Sequence, residues 1–202
     1  MGEQLYKIDE ISKILNSLMF LFKKDNESKD SISETYQNII ERSRDKFFYL
    51  NLEIDDSFES RFDIIILHSF LIFYYYKELD INKKKFPQSL FDFMFADFDN
   101  NLREMGFGDI AVNKKMKVFV SAFYGRISQY SQGLQEIKIN NNDSILIEAI
   151  KNNLYKGNLV DKENINFFKN YIFNNLDHFI KKSENENLKD RFIFINLNNG
   201  DI

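Results

Sequence analysis

Two histidines, His68 and His178, are the whole imidazole supply of this 202-residue chain, and it contains no cysteine. Disulfides, thiolate nucleophiles and zinc sites built on cysteine are thereby excluded. A di-metal carboxylate site in a helical bundle needs Glu-x-x-His on two helices. Neither histidine has a glutamate three residues before it. His68 sits in an apolar run and reads as a hydrogen-bonded core residue, and His178 as a surface one. Asp92, Asp97, Asp99, Glu104 and Asp109 form an acidic series that could hold magnesium or do acid/base work. Their spacing puts Asp92 and Asp99 on one helix face and Asp97 elsewhere, so a solvated face is the simpler reading. Gly106-Phe107-Gly108 is too short for a phosphate-binding fingerprint and lies between helices. There is no Ser/His/Asp elbow.

Two lysine groups remain, Lys83-Lys84-Lys85 and Lys114, Lys115 and Lys117. Together they could form a patch for anionic lipid headgroups or an acidic partner; a solvated surface is the simpler reading of a charge run. The net charge of -4 and pI near 5.3 provide no general attraction to nucleic acid.

The elements that must position these residues are helical. Hydrophobic residues make up 44% of the chain, with 22 Phe and 10 Tyr but no Trp, which supplies a large aromatic core. One Pro and 7 Gly leave few breaks, which favours long helices over short strands. Leu5, Ile8, Ile11, Leu15, Leu18, Met19 and Phe22 make one stripe of a helix from about Gln4 to Lys24. After a polar loop, Ser31 or Ser33 caps a helix whose Ile32, Tyr36, Ile39, Ile40 and Phe47 face inward. Phe58 to Leu79 is apolar nearly all round, the pattern of a central buried helix. It is too short in its apolar part to span a bilayer. Asp80 to Lys85 is a loop. Pro87 then opens a helix with Leu90, Phe91, Met94, Phe95, Phe98, Leu102 and Met105 on its inner face, and Gly106 ends it.

Asn113 is the expected cap of the following helix, which presents Met116, Phe119, Val120, Phe123, Ile127, Tyr130 and Leu134. Its three lysines would sit in the first turns, where they oppose the helix dipole. Ile139 to Asn142 reads as a loop, Ile145 to Tyr155 as a short helix stopped near Gly157, and Glu163 to Lys182 as the last helix. The organisation predicted is one all-α domain over residues 1–182, with six or seven helices, followed by a polar C-terminal tail over 183–202. Within the tail Phe192 to Leu197 is apolar, and its conformation is left open between helix end, strand and disorder.

One stretch carries more than periodicity. Leu102-Arg103-Glu104-Met105-Gly106-Phe107-Gly108-Asp109 is followed by Lys114-Lys115-Met116-Lys117 and then by Phe123-Tyr124-Gly125-Arg126. In this order and spacing it resembles the ubiquinol–cytochrome c chaperone family, with the likeness strongest over about 58–134. Phe62, Asp63, Leu67 and His68 resemble that family's upstream helix. The resemblance implies an α-helical assembly factor for the respiratory cytochrome bc complex, with no enzymatic activity, that binds newly made cytochrome b. Mitochondrial members also work with a small partner protein and associate with ribosomes. With no long extension or presequence ahead of its helices, this chain looks like a bacterial form, cytoplasmic and peripheral at the inner membrane.

The surface expected to meet a partner comprises Phe95, Asp99, Arg103, Glu104, Met105, Phe107, Asp109, Lys114, Lys115, Lys117, Tyr124 and Arg126. Flexible thioethers and large rings suit an apolar client, and a charged rim keeps the complex soluble. Arg103 and Arg126 would either order the partner or form ion pairs with Asp97, Glu104 or Asp109. No metal or organic cofactor is expected. The alternative is a metal-dependent carboxylate enzyme of the helical-bundle type, which requires the acidic series to converge on an ion.

Overall fold

The computed structural model of the chain describes residues 29–78, 85–183 and 192–197. Seven helices lie among the described residues: α1 (Lys29–Ser43), α2 (Lys46–Leu50), α3 (Phe58–Glu78), α4 (Lys85–Glu104), α5 (Asp109–Asn140), α6 (Ser144–Leu154) and α7 (Lys162–Ser183). The fold is all-α, as the composition implied. The helix predicted over Gln4 to Lys24, and the Asp80 to Lys84 part of the loop, lie outside the described residues.

α3 is central because every side of it is covered. α1, α4, α5, α6 and α7 all pack on it, and 13 of its 21 residues are buried. A helix with neighbours all round has no water-facing stripe, so its sequence loses the usual alternation. His68 is fully buried there. Its Nδ1 lies 2.8 Å from the Ile64 carbonyl and must donate to it, which leaves Nε2, 2.8 Å from the Tyr171 hydroxyl, to accept. Burial pushes its pKa down to about 3, so the ring is neutral.

Three helix starts differ from the sequence expectation. α1 includes Lys29, so Ser31 and Ser33 lie inside the helix rather than at its cap. The chain also breaks before Phe47. α1 stops at Ser43, and the Asp45 carboxylate accepts from the Phe47 N–H at 3.0 Å, capping α2. α5 begins at Asp109, four residues before Asn113, with extended Gly108 at the cap position. Lys114, Lys115 and Lys117 therefore sit beyond the first turn, where the dipole has largely faded. At the other end α5 runs to Asn140, through the first half of the expected loop, and left-handed Asn141 closes it.

The α5–α6 hairpin is unusually close at one point. A Cβ on Gly133 would stand 2.7 Å from the Leu146 Cα, so only hydrogen fits. The apolar C-terminal run, residues 192–197, is an irregular plug, neither helix nor strand. Phe192 is buried among Tyr75, Tyr76, Phe86 and Phe179. Phe194 packs edge-on to His68 at 4.6 Å. With no ladder partner, its backbone is held by side chains: Arg42 donates to the Phe194 carbonyl at 3.1 Å, and the Ile195 N–H donates to Asn175 Oδ1 at 3.0 Å.

Candidate functional site: an apolar groove and the α4–α5 corner

The corner is built by the turn after α4. Gly106 takes φ +87, a left-handed conformation that costs glycine little, and the Phe107 N–H donates back to the Leu102 carbonyl at 3.1 Å. This reverses the chain into α5. Arg103 ties the corner together, pairing with Asp99 at 2.5 Å and with Asp109. The Lys115 ammonium stands 4.7 Å from the centre of the half-buried Phe107 ring. Glu104, Met105, Lys114 and Lys117 are exposed. Met105 was expected on the inner face of α4; it lies just past the helix end and is 65% exposed, because the turn swings it outward.

Other expected site residues point inward. Phe95 is buried, stacked on Phe91 at 4.2 Å and edge-on to Phe123 at 5.5 Å. Tyr124 is half-buried against Phe91 at 5.5 Å, and burial foremost raises its pKa. Arg126 is half-buried, and its ion-pair partner is none of Asp97, Glu104 or Asp109. Its Nε lies 2.6 Å from Oδ1 of Asp63, on the central helix. Asp63 is fully buried and also pairs with Lys156, from the turn after α6. Both cations have pKa values lowered by desolvation, the cost of facing a carboxylate inside the bundle. The one signal in the sequence for this cluster was a carboxylate at the head of a long apolar run, which demands a cation from elsewhere.

The acidic series disperses. The Asp92 carboxylate accepts from Gln88 at 2.6 Å. Asp97 accepts from the Tyr36 hydroxyl at 2.8 Å and from Asn101 at 2.9 Å. Asp99 and Asp109 are held by Arg103, and Glu104 stands in solvent. Among the described residues no three His, Asp or Glu gather as metal ligands would.

What does converge is apolar. Between α1, α3, α4 and α5 runs a groove of about 290 Å³, walled by Tyr36, Ile40, Ile65, Phe98 and Leu102, with Met105 at its edge. Phe62 sits against Phe119 at 4.9 Å and Phe98 at 5.6 Å, and Phe58, 54% exposed, continues this row of rings outward. Arg44, Arg61 and Asp97 make a polar rim. Periodicity indicated one buried face each for α1, α4 and α5 and an all-round buried α3; it did not show that the four leave a gap where they meet. A second groove of about 280 Å³ lies between α3, α5 and α7, with the Glu78–Lys138 pair at its rim.

This is an all-α fold that presents an open apolar groove and a charged corner. The chain belongs to the ubiquinol-cytochrome C chaperone family, whose pattern matches residues 50–194. "Protein CBP3, mitochondrial" of Saccharomyces cerevisiae is 26% identical over 155 residues, 74% of this chain and 44% of that protein. "Ubiquinol-cytochrome c reductase complex assembly factor 1" of Mus musculus is 26% identical over 99 residues, 49% of this chain and 34% of that protein. The chain thus spans less than half the length of these relatives. The crystal structure of the Cbp3 homolog from Brucella abortus superposes with a TM-score of 0.64 over 97% of both chains at 23% identity, a likeness of fold.

Proposed function

We propose that the chain is an assembly chaperone of the respiratory cytochrome bc complex, and that its groove receives an apolar segment of newly made cytochrome b. Family membership supports the first part, together with the name that the mouse relative carries as an assembly factor. The open groove carries the second. Aromatic walls, an exposed Met105 and an exposed Phe58 form a surface with apolar area still unmatched, while Arg44, Arg61 and Asp97 at the rim keep it wettable. The groove has room for a few side chains, so it suits one face of a client helix and not a whole one. This reading uses no metal, no organic cofactor and no bond made or broken. It sets the protein to work at the cytoplasmic face of a bacterial inner membrane.

The test is co-purification from detergent-solubilised native membranes. Tagged chain is expected to bring down cytochrome b, and Phe58→Asp/Met105→Asp, two exposed positions, is expected to reduce the yield at least tenfold while helicity is unchanged. Absence of cytochrome b from the wild-type eluate, or equal recovery with the variant, overturns the reading.

A further inference from the structure

The outward side of α5 combines exposed aliphatic side chains with lysines. At 100° per residue, Ile110, Lys114, Lys117, Val118 and Ser121 fall on one arc, opposite buried Val112 and Phe123 and half-buried Met116 and Phe119. Ile110 is 88% exposed and Val118 is 60% exposed, and Met105 stands in the turn just before. A single exposed aliphatic is ordinary; two on the same face as two lysines are an amphipathic design turned toward solvent.

The charge on this arc is also unbalanced. The protein as a whole carries -4, yet from Ile110 to Gln135 α5 contains no acid. Of the carboxylates at the neighbouring corner, Asp99 and Asp109 are already paired with Arg103, and exposed Glu104 forms no ion pair with either lysine. Lys114 and Lys117 have no ion-pair partner among the described residues. These cations are not needed for helix capping, since they lie beyond the first turn.

We propose that this face, Ile110, Lys114, Lys117 and Val118, rests on a membrane surface rich in anionic phospholipid. Lysines supply the attraction to the headgroups, and the aliphatic side chains between them enter the boundary of the acyl region. A lipid interface takes the lysines at its headgroups and Ile110 and Val118 at the acyl boundary below them, so it accommodates both at once. The contact lies along the surface, because no helix among the described residues is long and apolar enough to cross a membrane. The groove is a separate surface from this arc, so the inference does not depend on which client the groove takes.

Flotation of the full chain with vesicles tests it. Wild type is expected to float with phosphatidylcholine vesicles containing phosphatidylglycerol, not with phosphatidylcholine alone, and to float less as salt rises. Lys114→Glu/Lys117→Glu is expected to lower the bound fraction at least tenfold, and Ile110→Ser/Val118→Ser to lower it several-fold at low salt. All four positions are exposed, so thermal melting should be unchanged, and both variants should still recover cytochrome b from detergent extracts. Failure of wild type to float, or equal flotation of the charge-reversed variant, overturns the proposal. So does a charge-reversed variant that loses cytochrome b in detergent while wild type never floats, since the lysines would then be meeting protein. Loss of flotation with cytochrome b recovery intact supports it.

Discussion

Asp63 is the residue on which the α3–α5–α6 junction turns. Its carboxylate is fully buried, and Arg126 and Lys156 reach it from different elements. Removing one partner of a buried pair leaves a desolvated charge, which costs about 3–5 kcal/mol when nothing else compensates. Here Lys156 remains, and the Arg126 side chain is 23% exposed, so Arg126→Ala is expected to cost about 2 kcal/mol by urea unfolding. Adding Asp63→Asn should recover part of that loss; a double variant as unstable as the sum of the single ones would mean that the two do not interact. His68 makes a second prediction, in pH. Its pKa falls from 6.5 in the unfolded chain to about 3 in the fold, so acid protonates the unfolded state first. The stability from keeping this ring neutral is fully present above 6.5 and is lost progressively down to about 3. Urea unfolding is expected to show a loss approaching 1.4 kcal/mol per pH unit just below pH 6, to which the paired carboxylates, with their lowered pKa values, add little. His68→Asn should be less stable at neutral pH and flatter with pH; an unchanged slope would rule out His68 as its source.

Two glycines on α5 look alike along the chain and differ at the scale of elements. Gly133 sits where α6 crosses, and any Cβ would meet the Leu146 backbone at 2.7 Å. Gly133→Ala is expected to prise the hairpin apart and cost about 2 kcal/mol, a fall in Tm of roughly 4–8 °C by scanning calorimetry. Gly125 is exposed, and a methyl group there would have nothing within 4 Å. In the middle of a helix, Gly125→Ala should raise stability by about 0.5–1 kcal/mol. If the same variant lowers cytochrome b recovery, the bare backbone at Gly125 serves a close-packing partner; unchanged recovery makes it a tolerated flaw in the helix.

At the scale of the whole molecule, the groove and the lysine-bearing face of α5 are two different surfaces, and the two proposals above assign one to each. The groove exists because α1, α3, α4 and α5 approach one another without filling the gap at Phe62, Phe98 and Phe119. Filling it from within should be tolerated by the fold and not by a client. Ile40, half-buried at its wall, is the position for this: Ile40→Trp is expected to leave Tm within about 3 °C, given the space available, and to reduce cytochrome b recovery in the same pull-down. A variant that recovers cytochrome b as wild type does would dissociate the groove from client binding.

Among the described residues the amino-acid sequence alone determined the existence of the long helices, which of them lies at the centre, and that Gly106 follows the end of α4; it did not reveal the short α2 or where α5 starts and ends. It also determined family membership, through the ordered run from Leu102 to Arg126. These are local or nearly local properties: helical periodicity repeats every 3.6 residues, and a left-handed cap needs one glycine. Tertiary structure alone decided that Arg126 serves Asp63, that Met105 turns outward, that Phe192 and Phe194 plug the core, and that four helices leave an open groove. Each of those depends on segments far apart in the chain meeting, as when the Tyr36 hydroxyl finds Asp97 or the Arg42 guanidinium finds the carbonyl of Phe194. A side chain's own spacing tells it to face inward; only the packed chain tells it what it will face.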